Sequence, residues 1–260
     1  MSRPTASYLD PTGKGSVSVD LATPGRALAI GAHPDDIDFG CGGTLAKWAA
    51  AGCVVTELVL TDGAKGSWDP KVDRAALVVL RQEEQRAAAV ALGAGDVLFL
   101  GHVDGELDSG LAERAEVCQV IRQVRPDVVL GHDPWKRYRL HPDHRHAGFL
   151  AVEGIVAARD PHFFPEQGLA PHRPSCLLLW EADEVDHVED VESVLDRKLA
   201  ALLAHRSQWQ STMGIDADRE DADREVDARV FETRIRERAT EAGAAAGVSL
   251  GEAFKRIDRL

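Results

Sequence analysis

The sequence has no long apolar run. Its first stretch, MSRPTASYLDPTGKGSVSVD, lacks the apolar core that a signal peptide requires, and no window approaches a membrane span. Cysteine is sparse as well: Cys41, Cys53, Cys118 and Cys176 are scattered without a C-x-x-C pair, which reads as reduced thiols in a cytoplasmic protein. No basic patch is present, and a net charge of −13 argues against a nucleic-acid or anionic-membrane partner. Internal repeats and low-complexity linkers are also missing, which favours one domain.

What is there is ordinary in bulk and informative in order. With 260 residues, 44% apolar and 28% charged, the chain can bury a sizeable core without staples. Residues 1–25 read as an irregular arm rich in Ser, Thr, Pro and Gly. Beyond it RALAIGA, VVTELVLTDG, DVLFLG, PDVVLGHD and SCLLLWEA read as strands. Helical stretches lie between them: GGTLAKWAAAG closed by Gly52, Arg74 to Leu92, LAERAEVCQVIRQV, and about Pro142 to Ala157. Such alternation predicts an α/β fold of Rossmann-like, doubly wound type: a mainly parallel sheet with helices on both faces. The catalytic unit is expected over residues 26–210. EADEVDHVEDVE, with seven acidic residues and no Lys or Arg, reads as a solvated turn and helix start, followed by a patterned helix from Val191 to Arg206. Residues 211–260 read as a charged helical extension packed on the outside or on a partner subunit, which leaves a homo-oligomer open.

The most informative stretch is ALAIGAHPDDIDFGCGG, residues 27–43, an apolar strand ending in a histidine and adjacent acids. Gly40, Gly42 and Gly43 suggest a phosphate-binding turn, but the third position of G-x-G-x-x-G is missing. Asp35, Asp36 and Asp38 would also repel a pyrophosphate. A metal site fits better. Ligands in α/β sheets sit at the carboxyl ends of strands, and His33 and Asp36, three apart, can aim at one point. A catalytic zinc takes about three protein ligands plus a water. The third is expected in GHDPWKRYRLHPDHRHAG, where His141 and His144 flank Pro142 at a helix start. His132 and His146 read as a strand-end polar residue and a helix flank.

With His33, Asp36 and His144 on a divalent metal, Asp35 is left as a carboxylate that can take a proton from the attacking water. Asp38 is better placed than Asp35 to cap the following helix. His141 can stabilise an oxyanion or protonate a leaving amine, with Asp143 orienting it. The donor set suits Zn2+ and would also accept Fe2+ or Co2+.

AHPDD after the first strand together with HPDH before a later helix resembles the PIG-L/LmbE-like zinc-dependent N-deacetylases of N-acetylglucosaminyl conjugates. TDGAKG, RQEE, LGHVDGELDSG and KLAALLAHRSQ are similar to further family segments and extend the match over roughly residues 27–210. The resemblance implies His33, Asp36 and His144 as zinc ligands, Asp35 as general base and His141 as electrostatic or general-acid group. It implies Arg81 as a sugar contact with Asp108 or Asp104 as its partner. Some members carry a tyrosine two residues before the first histidine of H-P-D-H. Here Arg139 stands there, preceded by Tyr138. The implied substrate is a small N-acetylated amino-sugar conjugate; a related acyl or thiol conjugate and non-catalytic metal or sugar binding are the alternatives.

Overall fold

The computed structural model describes residues 17–260, so the first sixteen residues of the expected arm lie outside it. The first half of the chain contains β1 (Ser18–Val19), β2 (Arg26–Gly31), α1 (Asp36–Ala50), β3 (Val54–Thr61), α2 (Arg74–Leu92), β4 (Val97–His102) and α3 (Leu111–Val124). The second half adds β5 (Val128–His132), α4 (Pro142–Arg159), β6 (Cys176–Trp180), β7 (His187–Asp190), α5 (Leu195–Ala204), α6 (Asp221–Ala244) and β8 (Gly251–Asp258). One sheet has the order β1-β7-β8-β6-β5-β2-β3-β4, and β8 alone runs antiparallel to its neighbours.

The central strands read as unbroken apolar runs because both faces are covered. Leu28 of β2 lies opposite Thr56 on one side and Val129 on the other. One face packs Ile37, Leu45 and Trp48 of α1 with Leu199 and Leu202 of α5 and Phe231 and Ile235 of α6. The opposite face packs Val117 and Ile121 of α3 with Leu150 and Ile155 of α4. Burial of these side chains is the main favourable term, of order 1.5–3 kcal/mol for each large one.

The chain leaves β2 for β3 and β4 on one side, then crosses back to β5 on the other. That reversal opens a crevice between the carboxyl ends of β2 and β5, where doubly wound sheets bind ligands. Local signals set the flanking helices. Asp73 caps α2 by accepting from the amides of Ala75 and Ala76, and Gly93 closes it at φ 78°. Pro142 occupies the first turn of α4 after an extended His141.

Three segments differ from expectation. HVED, inside the acidic stretch, is the buried strand β7. Its charges are paired within the fold: Glu189 accepts from His187 Nε2 at 2.9 Å and from the Leu21 amide at 2.8 Å, and meets Lys47 Nζ at 2.5 Å. The C-terminal region is not helical throughout, because GEAFKRID forms β8 between β6 and β7 and buries Phe254. Finally, α1 starts at Asp36 and is broken at Cys41 (φ −148°). Asp38 therefore lies within the helix and caps nothing. The N-cap position is Asp35, whose side chain makes no capping bond.

The break in α1 explains the glycines. The Glu252 carboxylate of β8 accepts from the amides of Gly43 and Thr44 at 2.8 and 2.7 Å, satisfying the start of the second half-helix. A Cβ on Gly43 would stand 2.9 Å from Val191, and one on Gly40 would stand 2.5 Å from the Trp180 indole. Both glycines thus permit close approach. Among the described residues all four cysteines are free and buried, and no helix is long and apolar enough to cross a membrane.

Candidate active site

β2 delivers His33, Pro34, Asp35 and Asp36 to the crevice in a tight turn. The Asp36 carboxylate folds back to accept from the His33 amide at 2.7 Å. Asp35 adopts a left-handed backbone at φ 95°, an arrangement that costs on the order of 1–3 kcal/mol for a non-glycine residue. α2 supports it: the Asp35 amide donates to Gln85 Oε1 at 2.8 Å. Arg81, the arginine that the resemblance makes a sugar contact, is buried. It donates to the carbonyls of Pro34 (2.6 Å) and Gly63 (2.8 Å) and lies 3.7 Å from Asp35 Oδ2.

β5 and α4 supply the facing wall. His144 Nε2 lies 3.2 Å from Asp36 Oδ1, and His33 Nδ1 lies 3.2 Å from Asp36 Oδ2. The ligand atoms of His33, His141 and His144 fall within 4.8 Å of one another, with the His141 and His144 rings stacked at 4.7 Å. Imidazole nitrogens and a carboxylate converging in this way match the donor chemistry of a divalent transition metal.

Asp143 has a different partner from the one expected. Its Oδ2 lies 3.1 Å from His33 Nε2 and accepts from the Gly105 amide at 2.6 Å, so it orients His33 rather than His141. Asp104 meets the same His33 nitrogen at 3.2 Å and takes the Lys65 amide at 2.8 Å. Carboxylates behind a ligand histidine fix its tautomer and ring plane. The loop holding Asp104 also holds Asp108, but Asp108 points outward with its side chain 75% exposed, 3.8 Å from His146.

His132 is the residue that sequence reasoning undervalued. It is buried, and its Nδ1 accepts from Trp180 Nε1 at 3.0 Å. The proton of the neutral ring therefore sits on Nε2, which faces Asp36 Oδ2 at 3.3 Å without another partner. The ring thus turns an N–H toward Asp36 from behind, close to it but outside hydrogen-bond geometry. Its position at the end of the strand beside β2 was the available signal. His132→Asn, which can still accept from Trp180 but does not reach Asp36, is expected to weaken metal affinity about 10–100-fold with an unchanged melting midpoint. Chelator competition reads this, and unaltered affinity would remove His132 from the support of Asp36.

Electrostatics separate the two adjacent acids. Burial disfavours charge on Asp36, but His144 and His132 outweigh it and hold the carboxyl well below its usual range. Asp35 is pushed up to about 6, first by burial and then by Asp36, with Arg81 pulling the other way. Burial also opposes charge on Asp104, yet His33 brings it down to about 2. His141 is lowered by burial and by the neighbouring His33 and His144. His205 does not line the cavity: it is fully buried, with Nε2 2.9 Å from Asp38 Oδ2. Arg139 is buried against Glu181 at 2.7 Å, while Tyr138 is 85% exposed.

These groups open on a cavity of about 1100 Å³ that reaches from Asp104 and Arg81, across the histidines, to α6 and β8. The family model described as PIG-L, GlcNAc-PI de-N-acetylase, matches residues 28–155. The diacetylchitobiose deacetylase of Thermococcus kodakarensis is 38% identical over 187 residues, covering 71% of this chain and 70% of that one. A 1D-myo-inositol 2-acetamido-2-deoxy-alpha-D-glucopyranoside deacetylase of Geodermatophilus obscurus is 33% identical over 204 residues, 69% of this chain and 66% of its own. Among solved structures, N,N'-diacetylchitobiose deacetylase from Pyrococcus horikoshii superposes with a TM-score of 0.80 at 30% identity, covering 90% of this chain and 84% of that one.

Proposed function

This chain belongs to the PIG-L family, and we propose that it is a metal-dependent hydrolase that removes the N-acetyl group of a small amino-sugar conjugate. The observation that carries the reading is one carboxylate, Asp35, left on the wall of the cavity that His33, Asp36 and His144 also line, with both of those imidazoles 3.2 Å from Asp36. Those three residues would hold the ion, with zinc the best match to the donors and iron(II) or cobalt(II) also accepted. A bound ion supplies Lewis-acid polarisation of the amide carbonyl and eases deprotonation of water.

The chain's own groups do the rest. Asp36 is the anionic ligand, kept ionised by the imidazoles around it. Asp35, held by Gln85 and Arg81, takes the proton of the attacking water and is the general base. His141, beside His33 and His144 and open to the cavity, stabilises the developing oxyanion and passes a proton to the leaving amine. Asp143 and Asp104 hold His33 in place. Asp104 and Arg81 also line the side of the cavity where sugar hydroxyls would be met. Asp108 has no role in this scheme. A cytoplasmic location fits the free, buried thiols.

The test is acetate release from a panel of N-acetylglucosaminyl conjugates, with metal-loaded and chelated protein side by side. Release that requires the metal is expected. Release indifferent to chelation, or none across the panel, would overturn the reading.

A further inference from the structure

The cavity does not end at the histidines. Sheet order decides what lies on either side of them. Toward β3 and β4 the lining is charged: Lys65, Arg81 and Asp104. Toward β6 and β8 it is apolar, formed by Phe39 of α1, Trp180 at the end of β6, Ala253 of β8, and Ile235, Ala239 and Ala242 of α6. The three α6 residues are spaced four and three apart and so share one helical face. Charged groups at this end are paired off, Lys198 with Glu252 at 2.6 Å and Arg139 with Glu181 at 2.7 Å. Arg234, Arg238 and Glu241 stand at the solvent rim.

Size points the same way. Pockets for drug-sized ligands span roughly 300–1,000 Å³, and 1100 Å³ exceeds what an acetamido group and one sugar need. A secondary amide is trans, so its nitrogen substituent and its acyl chain leave the carbonyl in opposite directions. With the amide at the histidines and the hydroxyl-rich sugar on the charged side, the acyl chain is directed into the apolar side.

Resting on the hydrolase reading above, we infer that the chain accepts N-acyl amino sugars with acyl groups longer than acetyl, the acyl chain lying against the apolar face of α6. The reaction is a hydrolysis in which the oxygen of water bonds to the acyl carbon and the C–N bond breaks. The amine nitrogen takes both protons of that water, releasing a fatty carboxylate and the amino sugar as its ammonium form.

The experiment compares N-acetyl-, N-butyryl- and N-hexanoylglucosamine with metal-loaded protein, reading amine release. kcat/KM is expected to rise roughly two- to fourfold per added methylene. Ala242→Phe, which fills the apolar side, should lower the hexanoyl value about tenfold more than the acetyl value. Rates that fall with acyl length in the unmodified protein, or a hexanoyl-to-acetyl ratio untouched by Ala242→Phe, would overturn the inference. So would selective turnover of N-acetylated sugars carrying an apolar glycoside, which would assign the space to the aglycone. Calorimetry with hexanoate and acetate separates this inference from its premise. Tighter hexanoate with no amide hydrolysed would retain the acyl chamber and reject the hydrolase, while equal binding would reject the chamber.

Discussion

Asp35→Asn is expected to lower kcat by about 10²–10⁴-fold, the range that a positioned general base contributes, while metal content stays at the level of the unmodified protein. The substitution preserves shape. The backbone amide of residue 35 keeps its bond to Gln85, and Arg81 remains anchored to the carbonyls of Pro34 and Gly63. What disappears is the only feature Asn cannot reproduce, a carboxylate able to accept a proton beside the converging imidazoles. A variant retaining near-normal turnover would reject Asp35 as base. One that loses its metal would instead make Asp35 a ligand.

His144→Ala should fail in the opposite order, losing the ion first and activity with it. His144 is one of three imidazoles around the Asp36 carboxylate, with His33 and His132, and it helps keep that buried acid ionised. Removing it takes away a donor and leaves Asp36 less well compensated. Affinity for the ion is expected to fall by about 10²-fold or more, beyond the loss usual for outer supporting groups. Elemental analysis after gel filtration reads the loss, and circular dichroism checks that the fold survives. Stoichiometric metal in this variant would remove His144 from the ligand set.

The parts of the fold that could be read from the chain are those governed by neighbours in sequence. β2, β3, β5 and β6 announce themselves as apolar runs because helices cover both faces of a parallel sheet. The bounds of α2 follow from Asp73 and Gly93. β7 and β8 escape such reading because their polar residues are satisfied by distant partners: Glu189 by Lys47, and Glu252 by Gly43, Thr44 and Lys198. The site divides likewise. His33, Asp36, His141 and His144 stand out by spacing within two short motifs. The pairing of Asp143 with His33 rather than His141, the choice of Asp104 over Asp108 for the cavity wall, and the place of His132 behind Asp36 all depend on which strand ends are adjacent. Periodicity carries no information on that.

The position of β8 bears on how the molecule is assembled. This strand follows every other strand of the described sheet in chain order, yet it lies between β6 and β7. Until it arrives, β6 presents an unpaired edge whose residues include Leu177, Leu178 and Leu179, the kind of template on which other chains pair. The same strand brings Glu252 to the break in α1, the helix that begins at Asp36. Closure of the sheet and support of the second half of α1 thus rest on one strand and on contacts distant in sequence. Such contacts slow folding and lengthen the time during which a growing chain is open to aggregation.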